Sequence, residues 1–432
     1  MSELVITLLL VGSLFLILAS GVWIGLTLMG VAWIGMQLFS ARPAGDAMAV
    51  TIWGSASSWT LTALPLFVWM GEILFRTRLS QDMFRGLAPW MQALPGRLLH
   101  VNVAGCTIFA AVSGSSAATV ATVGKMSLPE LARRGYPDGI SIGSLAGAGT
   151  LGLLIPPSII MIVYGVTAEV SIAQLFIAGL IPGLMLAALF SGVIVLWALR
   201  HPDQVPPADT RMSFAQKVRE ARHLIPIVGL IVAVLGSIYA GIATATEAAA
   251  IGVVGALAIS AAQGSLTWRT FVDSLLGGTR LYCMIALILA GAAFLTLSMG
   301  YIGLPRHLAE FIAGLGLSQL ELLIALALFY VLLGCFLDGI SMVVLTMGVI
   351  LPTIQKAGID PLWFGIFVVL VVEMAQITPP VGFNLFVLQG MTKREIGWIA
   401  RVTLPFFLAM VVAVASIYVF PGLVIWLPQQ MR

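Results

Sequence analysis

Residues 147–158 read GAGTLGLLIPPS and residues 373–384 read EMAQITPPVGFN. Each stretch is an apolar run closed by a Pro-Pro pair, and the pairs, Pro156-Pro157 and Pro379-Pro380, stand 223 positions apart. Proline lacks the amide donor that a helix interior needs and disfavours helix in the residue before it, so each pair should interrupt a helix that resumes beyond the turn. The same offset lays Pro129 on Pro352, Gly135 on Gly358 and Pro182 on Pro405. Backbone-special residues in register without a gap are the mark of an internal duplication.

Composition says what medium those helices occupy. Of 432 residues 60% are hydrophobic and 9% charged, with a mean hydropathy of +1.07, whereas soluble domains carry roughly 25% charged residues. Apolar runs of about 20 residues recur, each long enough to cross a hydrocarbon core of about 30 Å. About ten such runs and two ambiguous ones are expected, giving an all-α multi-pass membrane protein. The net charge of +3 comes from 21 basic and 18 acidic residues with no basic stripe, which leaves no case for nucleic acid. Three cysteines without CxxC spacing and four scattered histidines support neither a disulfide framework nor a metal centre. The first apolar stretch has no basic n-region and runs on into a second, Leu4 to Phe39, so it reads as membrane structure and not as a cleaved signal peptide.

The offset organises the rest. Residues 1–200 form a first unit, 201–223 a polar, proline-bearing linker, and 224–432 a second unit. Within them, 79–92 and 302–315 carry apolar stripes at helical spacing (Leu79, Met83, Leu87, Trp90 and Met91; Leu304, Leu308, Phe311, Ile312 and Leu315) and are expected to lie in the membrane interface, with packing on neighbouring protein as the alternative. Residues 98–124 and 319–351 are the ambiguous stretches, expected as re-entrant hairpins, and 139–164 and 362–388 as the interrupted helices. Placing the basic linker in the cytoplasm puts Arg76 to Arg97, Lys125 to Arg134 and Lys393 to Arg401 on that side too. Each unit then has five crossings and one hairpin, the second copy is inverted, and both termini lie outside.

Chemistry is expected where helices break. Ser113-Gly114-Ser115-Ser116 sits mid-hairpin in the first unit, and Gly334, Asp338-Gly339 and Ser341 in the second. Non-helical backbone at membrane depth is tolerated only where it is buried in protein or lines a wet cavity. Free carbonyls at a half-helix C-terminus suit a small cation, and the N-terminus of a resumed helix suits a carboxylate. Setting the serine cluster beside the first Pro-Pro and the Asp338 cluster beside the second yields two quasi-equivalent sites. Close packing of small residues is the structural alternative. A carboxylate at membrane depth costs about 2.5–3.5 kcal/mol on translocon scales, so Asp338 needs compensation from sodium, a substrate hydroxyl or an internal hydrogen bond, the first two being favoured. Glu72 stands one turn from Arg76 and can pair with it, and Glu247 and Glu373 read as hydrogen-bond anchors.

These residues resemble the large membrane subunit of the tripartite ATP-independent periplasmic (TRAP) transporters. The resemblance runs through Ser113-Gly-Ser-Ser, Leu128-Pro-Glu-Leu, Gly152-Leu-Leu-Ile-Pro-Pro-Ser, Ala245-Thr-Glu-Ala-Ala-Ala, Leu337-Asp-Gly and Thr378-Pro-Pro-Val-Gly. The family pattern more often has Thr-Pro-Thr-Glu where this chain has Thr244-Ala245-Thr246-Glu247, a departure expected to touch loop rigidity and not chemistry. The resemblance implies an elevator-type, sodium-driven importer of a small organic anion such as a C4-dicarboxylate, sialic acid or other sugar acid. It implies an inner-membrane location, a small four-helix membrane subunit and a periplasmic substrate-binding protein as partners, no cofactor beyond the coupling ion, and no enzymatic activity. One sodium would sit among Ser113, Ser116, Gly152, Ile155 and Pro157, and another among Gly334, Ala375, Thr378 and Val381, largely through carbonyls. Ser115, Ser158, Asp338, Ser341 and Asn384 would line the substrate. A stand-alone or proton-coupled carrier of related fold is the second reading. An intramembrane serine hydrolase is a distant third, because every histidine falls at a membrane edge or in a loop.

Overall fold

The computed structural model describes residues 3–77, 79–207, 212–334, 337–379 and 382–430, and every regular element among them is a helix. Among the described residues six helices are long and apolar enough to cross a membrane: Ile172–Arg200, Phe214–Tyr239, Ala245–Ala262, Trp268–Ile302, Gly339–Lys356 and Ile396–Val419. Gly339–Lys356 is the return arm of a hairpin. The other five join two bent pairs, Ala44–Ala56 with Trp59–Arg76 and Asp138–Leu154 with Ile159–Thr167. With the N-terminal helices Glu3–Ala19 and Ile24–Phe39 and the broken span Pro361–Gln376 and Phe383–Thr392, they give ten candidate spans among the described residues.

The 223-residue offset carries the first return arm, Ser116–Arg133, onto the second, Gly339–Lys356, from end to end. It likewise carries the start of the first broken span, Asp138, onto Pro361. The return arms run further than the expected hairpin limits at Gly124 and Leu351, because each continues through its proline, Pro129 or Pro352, to a polar end. Each proline withholds the amide that its arm would donate to the carbonyl four residues back.

The span expected from about Ser58 to Phe75 is instead a helix bent by 54°, whereas its counterpart is one unbroken helix of 35 residues, Trp268–Ile302. Gly54, Ser55, Ser57 and Ser58 are weak helix formers at the bend. In the second copy Gly277 and Gly278 keep the helix, and their missing side chains let the Ala63–Arg76 helix lie against it. A Cβ on Gly277 would stand 2.5 Å from Glu72 Oε2. The same device joins Ile24–Phe39 to the long helix, where a Cβ on Gly291 would come within 2.4 Å of the Gly25 carbonyl. Small residues of this kind let membrane helices pack backbone to backbone.

The stripe on the first arm helix, Leu79–Met91, is covered by protein in part, with Trp90 exposed. Met83 and Leu87 are buried, and Gly86 admits Leu224 from the linker end. The second arm helix, Leu304–Gly314, packs on the return arm Gly339–Lys356. The side chains of Leu79, Leu308 and Phe311 lie outside the described residues. The basic segments and the linker meet on one face. Arg97 donates to the Pro206 carbonyl, His223 stands 3.8 Å from Asp82, and Arg394 pairs with Asp138.

At the centre lie the two broken spans. Burial is uninterrupted from Ile140 to Gly165 and from Trp363 to Ile377. The backbone of the first break is therefore screened from lipid by the surrounding helices, the condition under which such backbone is stable at membrane depth, whereas at the second break burial ends with Ile377 and Pro379 is exposed.

Candidate functional site

At the first break, helix Asp138–Gly149 and its last turn Leu151–Leu154 stop at Ile155, and Ile159–Thr167 resumes with Ser158 as its N-cap. The Ser158 hydroxyl donates across the break to the Leu153 carbonyl and accepts from Met161 N–H. The first hairpin, His100–Ser113 and Ser116–Arg133, turns at Gly114, whose φ of +59° suits a residue without a side chain. Its tip meets the break. Ile159 N–H donates to the Gly114 carbonyl at 3.3 Å, and a Cβ on Gly114 would stand 2.9 Å from the Pro157 carbonyl oxygen. A Cβ on Gly152 would come within 2.6 Å of the Ser115 carbonyl oxygen.

Serines and glycines here permit a tight turn and leave oxygens in it. Thr119 donates to the Ser115 carbonyl at 2.8 Å, and the Ser113 and Thr119 hydroxyls lie 2.9 Å apart. Ser115 caps the return arm by accepting from Ala118 N–H. Ser115 and Ser116 thus stand against Gly152, and Gly114, next to Ser113, stands against Pro157. The Ile155 side chain turns away to Gly183, so any part it plays here falls to its backbone.

At the second junction, Pro361–Gln376 ends at Ile377 and Phe383–Thr392 resumes after Gly382. Thr378 is tied back to its own helix, its hydroxyl donating to the Met374 carbonyl at 2.7 Å and its N–H to Ala375. Gly382 folds over this end, with the Gln376 and Thr378 carbonyl oxygens 2.7 and 2.8 Å from where its Cβ would be. Gly334, which closes the first arm Gln319–Leu333 of the second hairpin, abuts Ala375, the Cβ atoms being 2.3 Å apart if Gly334 had one. Val381 and its neighbour Pro380 lie outside the described residues.

Asp338 has internal hydrogen-bond partners. It is the N-cap of Gly339–Lys356, accepting from Ile340 N–H at 3.1 Å, from Ser341 N–H at 3.3 Å and from the Ser341 hydroxyl. A carboxylate at a helix N-terminus is favoured by hydrogen bonds and dipole together. Glu72 pairs with Arg76 at 2.9 Å, and Glu247 completes a capping box with Thr244. Glu373 is fully buried, and its Oε1 accepts from Leu153 N–H at 3.1 Å. Asn384 is also fully buried, and among the described residues neither of its amide atoms has a hydrogen-bond partner.

The junctions interlock. The helix resumed after the first break packs on the return arm of the second hairpin, and Ile160 reaches Gly339. The helix resumed after the second break packs on the return arm of the first hairpin, and Met391 reaches Gly124. Asn384 therefore rides on a helix held by the opposite hairpin. Gln376 went unremarked in the sequence, yet it is 4% exposed and its amide lies 3.3 Å from where a Cβ on Gly339 would be. A polar residue near the end of the apolar run 361–377 is the signal that marks it.

With this geometry in hand, comparison with known proteins is direct. Residues 11–423 match the family described as tripartite ATP-independent periplasmic transporter, DctM component. The chain is 32% identical over 387 residues to the C4-dicarboxylate TRAP transporter large permease protein DctM of Pseudomonas aeruginosa, covering 88% of this chain and 89% of that one. It is 31% identical to the ectoine/5-hydroxyectoine TRAP transporter large permease protein UehC of Ruegeria pomeroyi, covering 92% of each. The isethionate TRAP transporter permease protein DctMQ of Oleidesulfovibrio alaskensis is 30% identical over 94% of this chain and 63% of its own length. In fold, the chain resembles the Alcanivorax borkumensis YdaH transporter, with a TM-score of 0.67 at 14% identity over 93% of this chain and 96% of that one. A family match across nearly all of a chain with two interlocked hairpin junctions places this multi-pass membrane protein in the large permease (DctM) family of the TRAP transporters.

Proposed function

We propose that this permease imports a small organic anion across the inner membrane, driven by sodium, through movement of the two hairpins and broken spans as one body against the remaining helices. The carrying observation is the seating of each hairpin tip on a break, tight enough that only glycine fits at Gly152 and Gly334. Such junctions gather hydroxyl and carbonyl oxygens in a screened place, the hard-oxygen donor set that an alkali cation takes. Ser113, Ser116 and the backbone from Gly152 to Pro157 fit one ion. Gly334, Ala375 and Thr378 fit another, with Val381 added by the family's pattern. The substrate, placed between the tips, would meet Ser115, Ser158, Asp338, Ser341 and Asn384, the last with its whole amide open. Relatives named for C4-dicarboxylate, isethionate and ectoine support a small charged solute. Their description as large permease proteins, and the fused DctMQ relative, support a small membrane subunit as partner, with a periplasmic binding protein delivering the solute.

No covalent step enters this reading. The Ser113 hydroxyl is engaged with Thr119, that of Ser158 with the Leu153 carbonyl, and His100 with the Pro95 carbonyl. The test is uptake by the permease reconstituted with both partners under imposed gradients of sodium, potassium or protons. Uptake that requires sodium and binding protein is expected. Uptake driven by protons alone, or complete without a binding protein, overturns the proposal in favour of a proton-coupled, stand-alone carrier.

A further inference from the structure

Three of the four acidic residues singled out in the spans and at their edges are accounted for: Glu72 by Arg76, and Glu247 and Asp338 by the helix ends they cap. Glu373 is not. It is 0% exposed, and among the described residues no lysine or arginine acts on it and its Oε2 has no hydrogen-bond partner. Its Oε1 takes Leu153 N–H, one residue after Gly152, and the Ser116 side chain lies beside the carboxylate. A carboxylate from the second unit therefore ends at the hairpin–break junction of the first.

The arrangement has no mirror image. Under the 223-residue offset Glu373 falls on Thr150, whose hydroxyl donates to Gly147 of its own helix at 2.6 Å. Duplication alone does not explain a carboxylate that only one copy carries and that reaches into the other.

We propose that Glu373 is the charged member of the cation site at the first junction, its Oε2 completing the oxygen set of Ser113, Ser116 and the Gly152–Pro157 backbone. The inference rests on the sodium reading above. An ionised carboxylate held inside protein with no basic side chain beside it calls for a counter-charge, and a cation on the adjoining oxygens supplies one. The first site is then complete only while the second broken span is docked on the first, so ion occupancy reports on contact between the two units.

Substitution by glutamine separates this role from that of a structural anchor, because the amide keeps an oxygen for Leu153 N–H and removes only the charge. The experiment is thermal unfolding of the purified full chain across a sodium titration, with choline holding ionic strength constant. Wild type should gain melting temperature saturably with sodium. Glu373→Gln should melt near wild type without sodium, and its half-saturating sodium should rise at least about tenfold, the usual consequence of losing one charge-assisted contact. If Glu373→Gln cannot be purified, Glu373→Asp, which keeps the charge but withdraws it by one carbon, should also move the midpoint upward. An unchanged midpoint in the variant overturns the inference and leaves the sodium reading standing. No sodium response in wild type overturns both.

Discussion

Gly152→Ala is the sharpest single perturbation of the first junction. The new methyl carbon would lie 2.6 Å from the Ser115 carbonyl oxygen, 2.6 Å from Ser116 Cα and 2.7 Å from the Ser115 carbonyl carbon, all backbone atoms of the hairpin tip. Comfortable carbon contacts begin near 3.5 Å, so the tip must back away by about 1 Å. Overpacking of this size typically costs about 1–3 kcal/mol. The strain is relieved by parting Ser116 from Gly152, the two sides of the proposed ion site, so it falls on the ion-bound state. A penalty of about 1–3 kcal/mol corresponds to a 5- to 150-fold rise in half-saturating sodium. Uptake into proteoliposomes at stepped external sodium measures that midpoint. Gly192→Ala is the control, since a Cβ there meets nothing within 4 Å. A Gly152→Ala permease whose sodium midpoint matches the Gly192→Ala control would refute the junction as the ion site.

Ser116→Ala should weaken sodium dependence while leaving expression intact, and an unaltered sodium response curve in the same assay counts against that ligand. Gly334→Ala drives a methyl into Ala375, 2.3 Å away, and should raise the sodium requirement of uptake as Gly152→Ala does; restoration by Ala375→Gly in the double variant would tie the effect to that contact, and failure to restore would break the tie. Asp338→Ala should lower stability by about 0.5–2 kcal/mol through loss of the N-cap, whereas Asp338→Asn keeps an acceptor and should melt near wild type; an alanine variant as stable as wild type contradicts the capping role.

The duplication, the hairpins and the breaks were legible because they are written in residues that act on the backbone. Pro156-Pro157 interrupts a helix whatever surrounds it, and Ser113-Gly114-Ser115-Ser116 makes a turn by its own chemistry. At Asp338 only the need for compensation was legible, and the structure makes it the N-cap of Gly339–Lys356. Partner choice between helices was not legible. In a chain so uniformly apolar, nothing in Ile159–Thr167 names the second hairpin as its neighbour, because shape complementarity among valines, isoleucines and leucines has no local signature. Glu373 shows the same limit. Its type and depth promised a hydrogen bond, but that the bond would cross to Leu153 of the other unit depends on the fold. The stripe at Met83 and Leu87 fitted a membrane surface and a protein surface equally, and packing against the hairpin decided it.

An experimental density map of the permease in a lipid nanodisc with saturating sodium tests the central claim most directly. It should show helix interrupted at 155–158 and 377–382, each hairpin tip seated on its break, and ion density at both junctions that fades when choline replaces sodium. Unbroken helices through either Pro-Pro segment, or hairpin tips standing clear of the breaks with no ion density between, would contradict the account.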